Sequence, residues 1–300
     1  QQEGAVAALA TLTSDARSRE ARARDDFEPG TPREARGTGG QAAVVKAEGV
    51  PPLVQALRHK RPRVCAHAVH AVHNLAAFGE TRSTIAGEAA VVSGCVQLLK
   101  QADEDAEEMA EDERAVKQHA VATLAWLADS GKRAALVEQG AIEVLMAVLE
   151  AGVDQLAVVD AARAICSIAE HVESHPLMAQ VGLGILVVLA EGKGKAQEYA
   201  AATLHKLSAG RHAEALQMLA SSLASVTLLV KQLRGSMEES RTAVSSLRHL
   251  TTNVAARQAI VQCGGVESLV EVAQSAKMGK DSRKEATLTL AALAVPAHAE

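Results

Sequence analysis

Apolar positions recur along this chain in one eight-residue pattern with a helical period. AVAALATL (5–12), AVHAVHNL (68–75), AVATLAWL (120–127), AARAICSI (161–168), AAATLHKL (200–207), AVSSLRHL (243–250) and ATLTLAAL (286–293) align without gaps. The first residue is alanine in every copy: Ala5, Ala68, Ala120, Ala161, Ala200, Ala243 and Ala286. The fifth is aliphatic, from Leu9 and Val72 to Leu290, and so is the eighth, from Leu12 and Leu75 to Leu293. Positions i, i+4 and i+7 lie on one face of an α-helix. The pattern therefore predicts seven copies of one amphipathic helix. The alanine marks the place where a neighbouring helix comes closest, because a larger side chain would hold it off.

A second segment precedes most of these helices. It reads EGVPPLVQAL (48–57), QGAIEVLMAVL (139–149), VGLGILVVLA (181–190), ASVTLLVKQL (224–233) and GGVESLVEVA (264–273), with a weaker form VVSGCVQLL at 91–99. The aligned residues Leu53, Cys95, Leu145, Leu186, Leu229 and Leu269 are spaced by 42, 50, 41, 43 and 40 residues. A unit of about 42 residues holding two or three helices belongs to the class of stacked helical repeats.

The residues carry a specific resemblance. GVPPLVQAL, a turn ending in Pro62, and then VCAHAVHAVHNLA resemble the armadillo repeat, with a Gly-led second helix and a long third helix. RQAIVQCGGVESLV (257–270) is similar to the short first helix of that family running into the glycine that opens the second. The resemblance covers nearly the whole chain. It implies an all-α fold, a right-handed α-solenoid of about seven armadillo repeats in one domain spanning 1–300. Each unit buries its apolar face only against its neighbours. The resemblance further implies that stacked third helices line a concave groove that holds a protein or peptide partner.

Taking the aliphatic positions as core, the groove stripe falls on His67, His70 and Asn74, then His119, Ala122 and Trp126, then Asp160, Arg163 and Ser167. It continues through Tyr199, Ala202 and Lys206 to Thr242, Ser245 and His249. The candidate partner-binding residues are His70, Asn74, Trp126, Arg163, Ser167, Tyr199, Lys206 and His249. Trp126 and Tyr199 would stack on the partner, Asn74 would hydrogen-bond its backbone, and Arg163 and Lys206 would meet its acidic groups. A merely solvated face would carry more Glu and Lys. The import adaptors of this family repeat a Trp and an Asn along the groove. Here the Asn position is kept only at Asn74, and the Trp position holds His70, Ala122, Arg163, Ala202 and Ser245.

Composition narrows this reading. Apolar residues make up 48% of the 300, but aromatics only 1%: Phe27, Phe78, Trp126 and Tyr199. The core must be built from Ala, Val, Leu and Ile. A net charge of −5 supplies no basic field for nucleic acid. Cys65, Cys95, Cys166 and Cys263 lie far apart without a C-x-x-C, as expected of reduced thiols in a cytoplasmic protein, with the nucleus as the alternative. No apolar run is expected to reach the roughly 18 residues of a membrane span. The chain begins with Gln inside an apolar periodic segment, which suggests a fragment of a longer protein.

RVCAHAVHAVHNLA (63–76) holds three histidines and a cysteine. Steps of three fan His67, His70 and His73 over about a third of the helix circumference. Zinc needs ligands converging on one point, so no metal or cofactor is expected. No phosphate-binding loop, dinucleotide fingerprint, G-x-S-x-G or H-E-x-x-H is present, and no enzymatic activity is expected. Two charged segments interrupt the repeats. Residues 14–40 read as a disordered insertion, and 101–114, with eight acidic residues, as a mobile loop near the basic turn LRHKRPR (57–63). The expected function is a monomeric adaptor or scaffold. The alternatives are substrate recognition within a larger U-box-type ubiquitin ligase, or a nuclear-transport adaptor.

Overall fold

A computed structural model describes residues 2–13, 39–101, 111–210 and 212–295. Every regular element among these residues is helical. Two compact units appear, Gln1–Ile168 and Ala169–Glu300. In the first, α1 (Gln2–Thr13) is followed by three helix triplets. These are α2 (Gly39–Lys46), α3 (Val50–Ala56) and α4 (Pro62–Ala77); α5 (Gly79–Gly87), α6 (Ala89–Lys100) and α7 (Glu111–Asp129); and α8 (Arg133–Glu138), α9 (Ala141–Ala151) and α10 (Gln155–Ile168). In the second, a 3-10 turn (Val172–Ser174) leads into α11 (His175–Ala190) and α12 (Lys195–Ala209). Two triplets follow: α13 (Ala213–Ser221), α14 (Leu223–Gln232) and α15 (Met237–Leu250), then α16 (Val254–Gln262), α17 (Gly265–Gln274) and α18 (Lys280–Leu293).

The long third helices are started by ordinary local chemistry. Pro62 opens α4, where the missing N–H would have had no partner. Ser236 and Glu239 form a reciprocal capping box at the head of α15. In the second to sixth copies the expected core face is the buried one; in the last, Ala286 is buried but Leu290 and Leu293 are only half-buried. Ala68, Ala120, Ala161, Ala200, Ala243 and Ala286 are all fully buried, as are Val72, Leu124, Ile165, Leu247, Leu75, Leu127, Ile168, Leu207 and Leu250. Each fully buried aliphatic side chain contributes about 1.5–3 kcal/mol, which replaces the aromatic core this chain lacks.

The first copy departs from the expected register. Ala5 is exposed and Leu12 is 56% exposed, while Val6, Ala10 and Thr13 are buried. The buried i, i+4, i+7 set in α1 is therefore shifted by one residue. Alanines flank both registers, so the apolar pattern alone does not distinguish them; packing against α4 does.

The joint between first and second helices is left-handed in three triplets and extended, at Glu88 and Ser222, in the other two. Gly140 (φ 74°) and Gly264 (φ 73°) supply two of the left-handed residues. In the first triplet Glu48 takes that position at φ 55°. The following Gly49 is required for space instead, since a Cβ there would lie 2.8 Å from Val44 Cγ1.

In the second unit, first and second helices are merged into α11. With its preceding turn it forms a 19-residue segment, Val172–Ala190, of mean hydropathy 1.5. By length and composition this segment is long and apolar enough to cross a membrane, which corrects the expectation that no run reaches that length. Glu173 is its only Asp, Glu, Lys or Arg, so nothing interrupts it. In the fold its side chains Met178, Ala179, Leu186, Val187 and Ala190 are buried, and the helix packs on α12 in the place of a second helix.

Residues 14–38 and 102–110, the bulk of the two expected insertions, lie outside the described residues. The ends of both expected segments are helical, since α2 starts at Gly39 and α7 at Glu111. Within the described residues of the basic turn, Arg58 Nη2 donates to Ser93 Oγ at 2.6 Å, and Arg61 lies 3.9 Å from Glu3.

Candidate partner-binding groove

The stripe opposite the core is partly open in both units. His67, His70, His119, Trp126, Asp160 and Arg163 are half-buried in the first, and Tyr199, Ala202, Lys206, Thr242, Ser245 and His249 in the second. Three positions depart from this. Ala122 is 4%, Asn74 7% and Ser167 8% exposed. Asn74 Nδ2 reaches Thr13 Oγ1 at 3.5 Å on α1, so it bridges two helices and is not open to a partner backbone. The Ser167 carbonyl accepts a bond from Arg133 Nε at 2.8 Å. Both side chains are buried.

The open positions are held by contacts between adjacent helices. On α4 and α7 the His70 and His119 rings lie 4.7 Å apart, and His73 meets His119 edge-on at 5.1 Å. Among the described residues no group of three or more His, Cys, Asp or Glu is arranged to hold a metal ion. Cys65, Cys95, Cys166 and Cys263 are free thiols. Burial pushes the Cys95 thiol up to about 12 and raises Cys65 as well, so neither is a ready thiolate.

Trp126 is the most constrained of the expected site residues. Arg82 and Arg163 each place a guanidinium 4.5 Å from its ring centroid. Arg163 is pinned by Asp129 at 2.7 Å and Asp160 at 3.0 Å. Arg82, on α5, donates from Nε to the Ala76 carbonyl at 2.8 Å and from Nη2 to that of Ala77 at 3.0 Å. Trp126 thus already stacks on two of this protein's own cations.

In the second unit Lys206 Nζ pairs with Glu170 at 3.2 Å. Both basic residues expected to meet acidic groups therefore already have carboxylate partners. His205 Nδ1 lies 2.9 Å from Ser246 Oγ. Burial first, then the charges of His249, Arg241 and Lys206, hold the His205 imidazole below its ordinary pKa. A cleft of about 460 Å³ opens nearby, lined by His205, Glu238, Arg241, Ser245 and Asp281 among others. Sequence periodicity did not reveal Arg82, Glu170 or this cleft. Each involves a residue off the third-helix stripe, and the period reports only positions on one helix.

The pattern for an Armadillo/beta-catenin-like repeat matches residues 38–77, the triplet α2–α4. A designed armadillo repeat protein of known structure is similar to this chain with a TM-score of 0.62 and 25% identity, covering 81% of this chain and 99% of that one. An engineered protein gives 0.65 at 27% identity, covering 96% and 68%. A crystal structure of computationally designed armadillo repeat proteins for modular peptide recognition gives 0.63 at 24%, covering 81% and 99%. No curated protein matches the chain. A repeat unit matched in sequence, repeated helix triplets on a shared buried face, and this structural likeness show an all-α armadillo-type solenoid that carries an Armadillo/beta-catenin-like repeat at residues 38–77.

Proposed function

We propose that this protein is a non-catalytic scaffold that binds an extended segment of a partner protein on the half-buried third-helix stripe. One observation carries the reading. The stripe is polar and partly open while its flanks are sealed by aliphatic residues, and its side chains are already fixed by neighbours, as His70 is by His119 and Trp126 by two arginines. Such fixed groups lose little rotamer freedom on binding. The peptide-recognition purpose of one structurally similar design supports the same reading. Of the finer roles, an import adaptor would need a cationic segment on the groove tryptophan. Arg82 and Arg163 at Trp126 oppose that. A cytoplasmic, monomeric adaptor is the form we favour.

The test is selection from a random twelve-residue peptide display library on immobilised protein. The wild type should enrich peptides that a Trp126→Ala, Tyr199→Ala double variant with an unchanged thermal melt no longer holds. Peptides retained equally by both would move the site off the stripe.

A further inference from the structure

Resting on the groove reading, we propose that the Arg82 side of Trp126 is a subsite for a carboxylate, an Asp or Glu side chain of the bound segment. The two arginines at the indole are not equivalent. Arg163 is matched by two aspartates, at 2.7 and 3.0 Å. Arg82 spends two of its three nitrogens on backbone carbonyls at the end of α4. Among the described residues it makes no ion pair, and its Nη1 group has no acceptor. The indole N–H of Trp126 likewise has none.

A half-buried guanidinium without a counter-ion is unusual, because desolvation disfavours its charge unless an anion compensates. Its pKa is lowered, first by burial and further by Arg163, with only the Asp129 carboxylate acting in the other direction. Asp129 is itself engaged by Arg163 Nη1. A carboxylate arriving beside the ring would give Arg82 the ion pair it lacks, through Nη1, and would accept from the indole N–H. Such charge-assisted bonds are the strong ones. A lysine or arginine of the partner would meet two cations already 4.5 Å from the indole centroid. Arg82 is thus a specificity-determining residue that lies outside the third-helix stripe.

Trp126 is the only tryptophan in the chain, so its indole gives one N–H resonance in a ¹⁵N-correlated spectrum. The probes are two capped hexapeptides, alternating Glu-Ala and alternating Lys-Ala, at equal ionic strength. The acidic peptide should shift that resonance saturably and the basic one should not. Arg82→Gln should weaken the acidic peptide at least about tenfold. Arg82→Lys, which keeps charge without the planar fork, should fall between and guards against a folding defect in the first variant. An unmoved resonance, an equal response to the basic peptide, or an Arg82→Gln response equal to wild type would each overturn the subsite. Failure of the groove reading would look different: no library peptide would then depend on Trp126 and Tyr199 at all. Groove-dependent peptides without any favoured acidic position would sink the subsite alone.

Discussion

His175 Nε2 lies 2.7 Å from the carbonyl oxygen of Ala169, six residues earlier at the start of the second unit. The same spacing recurs at Arg82, whose Nε donates to Ala76 O at 2.8 Å, and at Arg257, whose Nη1 donates to Thr251 O at 3.3 Å. There the donor is a permanent cation. At His175 it is an imidazole, 1% exposed, whose Nδ1 has no acceptor. The carbonyl can only accept, so the neutral ring carries its proton on Nε2 and leaves Nδ1 bare. The charged groups acting on it are His171, Glu173 and His212. Burial is the largest influence and holds its pKa below the ordinary 6.5, against the opposing pull of the Ala169 carbonyl.

The sign follows from proton uptake. Below pH 6.5 the unfolded chain takes a proton that folded His175 refuses, so stability falls as the pH drops through that region. Urea midpoints should fall between pH 7.5 and pH 5.5. In His175→Gln the fall should be shallower, although His205, also held low, still contributes with the same sign. Equal slopes for the two proteins would remove His175 as a source.

Gly210 is packed against the same ring. A Cβ there would overlap His175 Nδ1 and Cε1. Gly210→Ala should cost about 1–3 kcal/mol through overpacking. Gly184, within α11, has open space around it. Gly184→Ala should instead stabilise by about 0.5–1 kcal/mol through helix propensity. Thermal melts of the two alanine variants should move in opposite directions.

The repeat alanine is expected to be intolerant of size only where it faces a neighbour. Ala120 is fully buried and Ala5 is exposed. Ala120→Leu should lose about 1–3 kcal/mol. Ala5→Leu should stay within about 0.5 kcal/mol of wild type. Denaturant midpoints would show whether the one-residue shift in α1 is right.

Glu48 holds φ at 55°, where the joints at Gly140 and Gly264 use glycine. Relief of the side chain's clash with its own backbone should outweigh the looser unfolded chain. Glu48→Gly should therefore raise stability by up to about 1 kcal/mol. A lower melting temperature in that variant would count against a strained backbone at this joint.

The long third helices were legible because Ala, aliphatic and aliphatic at i, i+4 and i+7 suffice to define a buried face. α1 escaped because Ala5, Val6, Leu9 and Ala10 satisfy two registers at once. The merged α11 escaped because Pro176 and Gly182 look like breaks in a sequence; Pro176 instead sits in the first turn of the helix, where its missing N–H costs nothing. The groove stripe was legible as positions but not as contacts. Nothing on α7 announces that Trp126 will be covered by an arginine from α5. Nor does Asn74 reveal that its partner is Thr13, 61 residues earlier. The capping box at Ser236 and Glu239, by contrast, is plain in the spacing S-x-x-E.

The merger of two helices into α11 has a consequence for how the molecule breathes. Elsewhere a bend between first and second helices lets one swing out while the other stays docked. From His175 to Ala190 there is no such bend, so the backbone amides of this stretch must become exposed to solvent deuterium together or hardly at all. The segment behaves as one cooperative block, set among neighbours that can open helix by helix.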